Sequence, residues 1–137
     1  MNSTSFAKVS LHKLVSELLG SLLPAAVTRR NLILNEIPRD LRVSADENML
    51  AYVLWNLINW AVQSSQNDCI HIEATTAGDH LKVRIKDVGT YFRHFISREY
   101  RQVQHVAETL GGSISIELGM EYGMNAALCI SNSQVAA

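Results

Sequence analysis

The stretch VLWNLINWAVQSS, Val53 to Ser65, puts two asparagines and two tryptophans into what its pattern predicts to be one helix. An asparagine amide oxygen can ligate a hard cation, whereas tryptophan offers only an N–H donor and cannot. One helical turn after Asn56 stands Trp60. Asn59 points about 100° away from that direction and is a poor substitute. The stretch is therefore either the wall of a ligand pocket or a pocket filled by an indole. Other chemistry finds less support. The five histidines lack the i, i+4 or short-loop spacing of a metal site. Cys69 and Cys129 have neither metal-ligand spacing nor the number for a disulfide framework, which suits a reduced, cytosolic setting. No G-x-S-x-G motif is present and neither cysteine has an activating context, which argues against a nucleophilic enzyme.

These residues need elements to hold them. Leu11, Leu14, Val15, Leu18, Leu19, Leu22 and Leu23 recur at three- and four-residue steps and predict an amphipathic helix from about Ser10. Pro24 is expected to kink or shorten it. NLILNEIP and LRVSA follow as two short strands joined by a turn around Pro38 to Asp40. Ser44 and Glu47 have capping-box spacing ahead of the second helix, whose buried stripe is Leu50, Val53, Leu54, Leu57, Ile58 and Ala61. Trp55 points away from both that stripe and the pocket; with Tyr52 it is either an ordinary exposed aromatic or part of a partner surface. CIHIEAT and LKVRIKD alternate as strands of a hairpin across TAGDH. A third helix carries Tyr100, Val103, Val106 and Leu110 on one face and stops at Gly111–Gly112. SISIEL and MNAALCI close the chain as another hairpin. The sum is an α+β fold, a two-layer α/β sandwich with three helices on one face of a mixed, mostly antiparallel sheet.

At 137 residues, positions 1–137 form one domain, long enough for a continuous core but not for two. A formal net charge of −1 gives no general reason for a nucleic acid or anionic membrane partner. Basic residues gather between Lys82 and Arg101, but Asp87 and Glu99 interrupt them, so they are read as a solvated face. MNSTSFAKVS lacks the charged segment and apolar run of a signal peptide, and no apolar run approaches the ~20 residues of a membrane span. A cytoplasmic chain without direct membrane insertion is expected.

DENMLAYVLWNLINWAV after LRVSA, then KDVG, then VQHVAETLGGSISIE resemble, in order and at plausible distances, the ATP-binding domain of sensor histidine kinases. VSLHKLVSELL is similar to the strand and helix that open that domain, so the resemblance covers nearly the whole chain. The broader group, with gyrase- and Hsp90-type ATPases, shares the two-layer sandwich. In the family, N-L-x-x-N-A sets two asparagines toward the phosphates, the second holding Mg²⁺. Here Asn56 matches the first and Trp60 replaces the second. In the family's D-x-G-x-G the aspartate accepts from the adenine amino group and the glycines let the base approach. Here Asp87 and Gly89 match, while Tyr91 replaces the second glycine. Asp87 and Gly89 are either a vestigial adenine contact or simply a turn after a strand. The family's long lid and glycine loop over the phosphates shrink to TYFRHFISREYRQ, a shortened lid around 90–99 without glycine. Ser97, Arg98 and Glu99 stand where the loop would fall, and Tyr91, Phe92 and Phe95 could cover the pocket mouth.

The resemblance thus implies a degenerate, non-catalytic module of bacterial two-component signalling. Its partner would be a response regulator or a histidine-bearing dimerisation domain. Adenine contacts alone would bind at ~1 mM or weaker, ~4 kcal/mol, and phosphoryl transfer needs a metal and positioning. No cofactor is expected. The alternatives are a working ATP–Mg²⁺ domain with an altered pocket and an anti-sigma-like regulator. His12 and His105 lack the acidic follower of a phosphoacceptor, and a structural role is expected for His105.

Overall fold

The computed structural model describes residues 8–87, 99–119, 123–131 and 135–136. After β1 (Lys8–Ser10), α1 runs Leu11–Thr28, with the Ser10 hydroxyl accepting from the Lys13 N–H at 3.4 Å as its N-cap. Pro24 does not shorten this helix. Leu22 and Ala26, on either side of it, are both buried and anchor the last turns to the core, and packing overrides the local cost of proline. Leu23, expected in the buried stripe, is instead 57% exposed.

α2 spans Glu47–Ser64 and is capped by Asp46, whose Oδ1 accepts from the Met49 N–H at 3.0 Å. The predicted Ser44–Glu47 capping box does not form, because Ser44 belongs to β3 (Arg42–Ser44) and pairs there with Lys8. An Asp46→Ala variant should lose about 1 kcal/mol of unfolding free energy, read from the urea midpoint, whereas Ser44→Ala should leave this cap intact. All six residues of the predicted α2 stripe are fully buried. Asn56, Trp60, Val62 and Ser64 are buried as well, because α2 is the middle helix, with α1 on one side and α3 (Tyr100–Thr109) on the other.

The three helices cover one face of a five-stranded sheet of order β2-β4-β5-β7-β6. β2 (Leu32–Asn35) runs parallel to β4 (Cys69–Ala77); β5 (His80–Asp87), β7 (Gly123–Ser131) and β6 (Gly112–Gly119) continue antiparallel. Ile70, Ile72, Leu81, Val83, Ile85, Leu128 and Ile130 form the sheet's side of the core. A second, small sheet of order β1-β3-β8, with β8 at Val135–Ala136, departs from the single sheet expected. The strands around Pro38 do not pair with each other; the turn there sends β2 to one sheet and β3 to the other. Both predicted hairpins form. Gly78, at φ 63°, makes the two-residue turn of the first.

Candidate functional site

Asn56 and Trp60 lie one turn apart on α2. The Trp60 indole is 3% exposed and stacks on the Tyr100 ring, with centroids 6.0 Å apart and planes at 21°. Tyr100 opens α3, so this aromatic pair fills space between the C-terminal part of α2 and the start of α3. The contact joins residues far apart in sequence, and nothing local in YRQVQ announced it. Asn56 is buried and its Nδ2 donates to the Tyr52 carbonyl of its own helix at 2.8 Å. Asn59 turns aside, its Oδ1 accepting from Gln63 Nε2 at 3.5 Å.

Asp87 ends β5 on the helix-covered side and is buried. Its Oδ2 accepts from the Ser65 hydroxyl at 2.7 Å. Ser65, just beyond α2, is held in turn by two donors to its carbonyl, Arg29 Nε at 2.7 Å and Asn31 Nδ2 at 3.2 Å. Asn31 also donates to the Val62 carbonyl at 3.1 Å and accepts from the Asp68 N–H at 3.1 Å. The turn after α1, the end of α2 and the start of β4 are thus tied by buried polar groups that satisfy one another. Sequence reading missed Ser65, Asn31 and Arg29; the double serine Ser64–Ser65 at the end of α2 was the available signal.

Along α2, Asn56 and Ser65 are nine residues apart, about 13 Å at the helical rise. Position 60 falls between them. An elongated ligand reaching both Asn56 and the Asp87 end would have to pass the level of the Trp60 indole. The donor set does not suit Mg²⁺ either. Asn56 offers one amide oxygen, Trp60 offers none, and the described residues hold no group of three His, Cys, Asp or Glu able to bind a metal. Gly89, Tyr91, Phe92, Phe95 and the shortened lid up to Arg98 lie outside the described residues.

Elsewhere the chemistry is structural. Trp55 does not face away from the fold. It is half-buried against the core and its Nε1 donates to Ser21 Oγ of α1 at 2.9 Å. His71 Nδ1 and Glu36 Oε1 are 2.9 Å apart. Cys69 and Cys129 are unpaired, and burial, then the nearby Asp68 and Glu36 carboxylates, push the Cys69 thiol above its usual range, away from nucleophilic use. A groove of about 280 Å³ between β1, α1 and β3, lined by Lys8, Lys13, Glu17, Arg42 and Glu47, contains none of the predicted site residues. No helix among the described residues is long and apolar enough to cross a membrane.

No protein-family model matches the sequence, and none of the curated proteins does. Solved structures do. The catalytic domain of histidine kinase ThkA aligns with a TM-score of 0.77 at 21% identity, over 92% of this chain and 96% of that one. Acinetobacter baumannii histidine kinase AdeS aligns with a TM-score of 0.77 at 14% identity, over 91% of this chain and 66% of that one. Full-length ShkA in complex with AMPPNP aligns with a TM-score of 0.76 at 15% identity, over 100% of this chain but 33% of that one. The chain therefore has the fold of histidine kinase catalytic domains, and it spans only a third of the longest of these three proteins.

Proposed function

We propose that this domain is a histidine-kinase-type module that works through protein contacts in two-component signalling and transfers no phosphoryl group. The observation that carries this reading is the buried Trp60 indole, stacked on half-buried Tyr100, at the position where the resemblance would place a metal-binding asparagine. Loss of the metal's oxygen ligand removes charge neutralisation on the phosphates, and phosphoryl transfer depends on it. ThkA has been solved in complex with the response regulator protein TrrA, and a partner of that class, or a histidine-bearing dimerisation domain, is proposed here. ATP and Mg²⁺ are accordingly not proposed as cofactors.

A second reading, an ATP-binding domain with an altered pocket, draws on Asn56 and Asp87, both buried on the helix-covered side. Calorimetry separates the two. Wild type titrated with Mg-ATP, and with ADP without metal, should give no heat below millimolar nucleotide. Micromolar, metal-dependent binding by wild type would overturn the proposal and leave the second reading. A Trp60→Asn variant that stays folded and alone gains metal-dependent binding would identify the indole as the plug.

A further inference from the structure

The helices cover one face of the five-stranded sheet, and no described element covers the other. Register fixes what that open face carries. Inner-facing Leu81, Val83 and Ile85 are fully buried, so Lys82, Arg84 and Lys86 of β5 project together from the opposite side. Three cross-strand rows result. Leu34, His71, Lys86, Asn125 and Glu117 form one; Glu73, Arg84, Ala127 and Ser115 the next; Thr75, Lys82, Cys129 and Ser113 the third.

Asp87 and Glu99, which break up this basic run in sequence, do not do so in space. Asp87 is buried on the helix-covered side and Glu99 precedes α3 in the helix layer. The acidic residues within the rows are Glu73, ion-paired with Lys86 at 3.4 Å, and Glu117, at the β6 end of the Lys86 row; Glu36 approaches that row at His71, 2.9 Å away, and the Lys82 row holds none. Among the described residues no ion pair engages Lys82 or Arg84. On the β7–β6 side of these two cations the neighbours are small, Ala127, Cys129, Ser113 and Ser115, so a partner backbone can come close. At the β2 edge, Leu32 is 59% exposed and adds an apolar rim.

We propose that this open sheet face is a docking surface for an acidic protein segment, with Lys82 and Arg84 as its charge contacts. The surface deepens the reading of a module that acts through protein contacts, and it rests on that reading. Charge complementarity selects the occupant. A second copy docked face to face about a twofold axis would set cations against cations. Two cations about 7 Å apart on one strand, on a face that also carries Glu73 and Glu117, supply much less than the several phosphate contacts of nucleic acid binding.

The test is a titration of the ¹⁵N-labelled full chain with a short peptide of alternating glutamate and alanine, followed by amide shifts. Shifts should cluster on β5, β7 and β6, weaken as salt rises, and fall about tenfold in apparent affinity in a Lys82→Glu/Arg84→Glu variant that melts like wild type. No shifts at millimolar peptide, or equal binding by the charge-reversed variant, would overturn the proposal. So would tighter binding of a single-stranded oligonucleotide of similar length. Because both substitutions lie on the side away from Asn56, Trp60 and Asp87, calorimetry with nucleotide on the same variant should match wild type. Failure of the docking surface is thereby distinguished from failure of the functional reading.

Discussion

A Trp60→Ala variant should lose about 3–5 kcal/mol of unfolding free energy, a large share of the ~5–15 kcal/mol that holds such a domain together. The indole is 3% exposed and packs between two helices, so truncation removes its buried apolar surface and leaves a void that α2 and α3 cannot both close. Part of the loss belongs to the ring pair itself. A double-mutant cycle with Tyr100→Ala should return a coupling of about 1 kcal/mol, typical of stacked aromatics. Urea titrations should show the midpoint falling with little change in slope, the mark of altered stability rather than an altered unfolded state. A loss below about 1 kcal/mol would mean that the indole is not part of the core, and the filled-pocket reading would fall with it. Trp60→Phe, which keeps a ring opposite Tyr100, should cost clearly less than the alanine change.

Gly112→Ala is expected to be about as damaging, for a different reason. A Cβ built at Gly112 would stand 2.0 Å from the Cys129 carbonyl oxygen and 3.1 Å from the Ile130 Cα. Both are backbone atoms of β7, paired to β6 along the whole hairpin, so neither can step aside without breaking ladder hydrogen bonds. A loss of about 3 kcal/mol or more should follow, seen as a lowered thermal midpoint. Gly20→Ala makes the matched control. Its Cβ meets nothing within 4 Å, and in a helix interior the change should gain up to about 1 kcal/mol. Near-wild-type stability of Gly112→Ala would show that β6 and β7 lie farther apart than the register implies.

The two glycines at 111 and 112 illustrate what a sequence discloses and what it withholds. Glycine past the last periodic residue correctly marks the end of α3, and Gly111, at φ 87°, takes the left-handed conformation that this stop requires. That Gly112 is needed by a strand eighteen residues further on has no local signature. The same division runs through the fold. The α2 stripe and both hairpins were legible because their periods are local. The splitting into two sheets was not, since strands as short as β3 and β8 draw their identity from pairing partners elsewhere in the chain. In the candidate site, Asn56, Trp60 and Asp87 were visible as residue types against a pattern. Tyr100 opposite Trp60, and Ser65 beneath Asp87, are three-dimensional facts. Asp87 also misled in one respect, because alternation along β5 places it on the face opposite to the lysines that it interrupts in sequence.

The parallel pairing of β2 with β4 has a consequence during synthesis. β4 and β5 can zip together as soon as the turn at Gly78 has been made, and β6 and β7 likewise need only their own connection. β2 has no such neighbour. As the chain leaves the ribosome, Leu32 and Ile33 wait until Cys69 and Ile70 emerge, and the Asn31 amide waits for Asp68, 37 residues later. Of the five strands in the main sheet, the first to be made is thus the one that stays unpaired longest, with α1, made just before it, as its interim shelter.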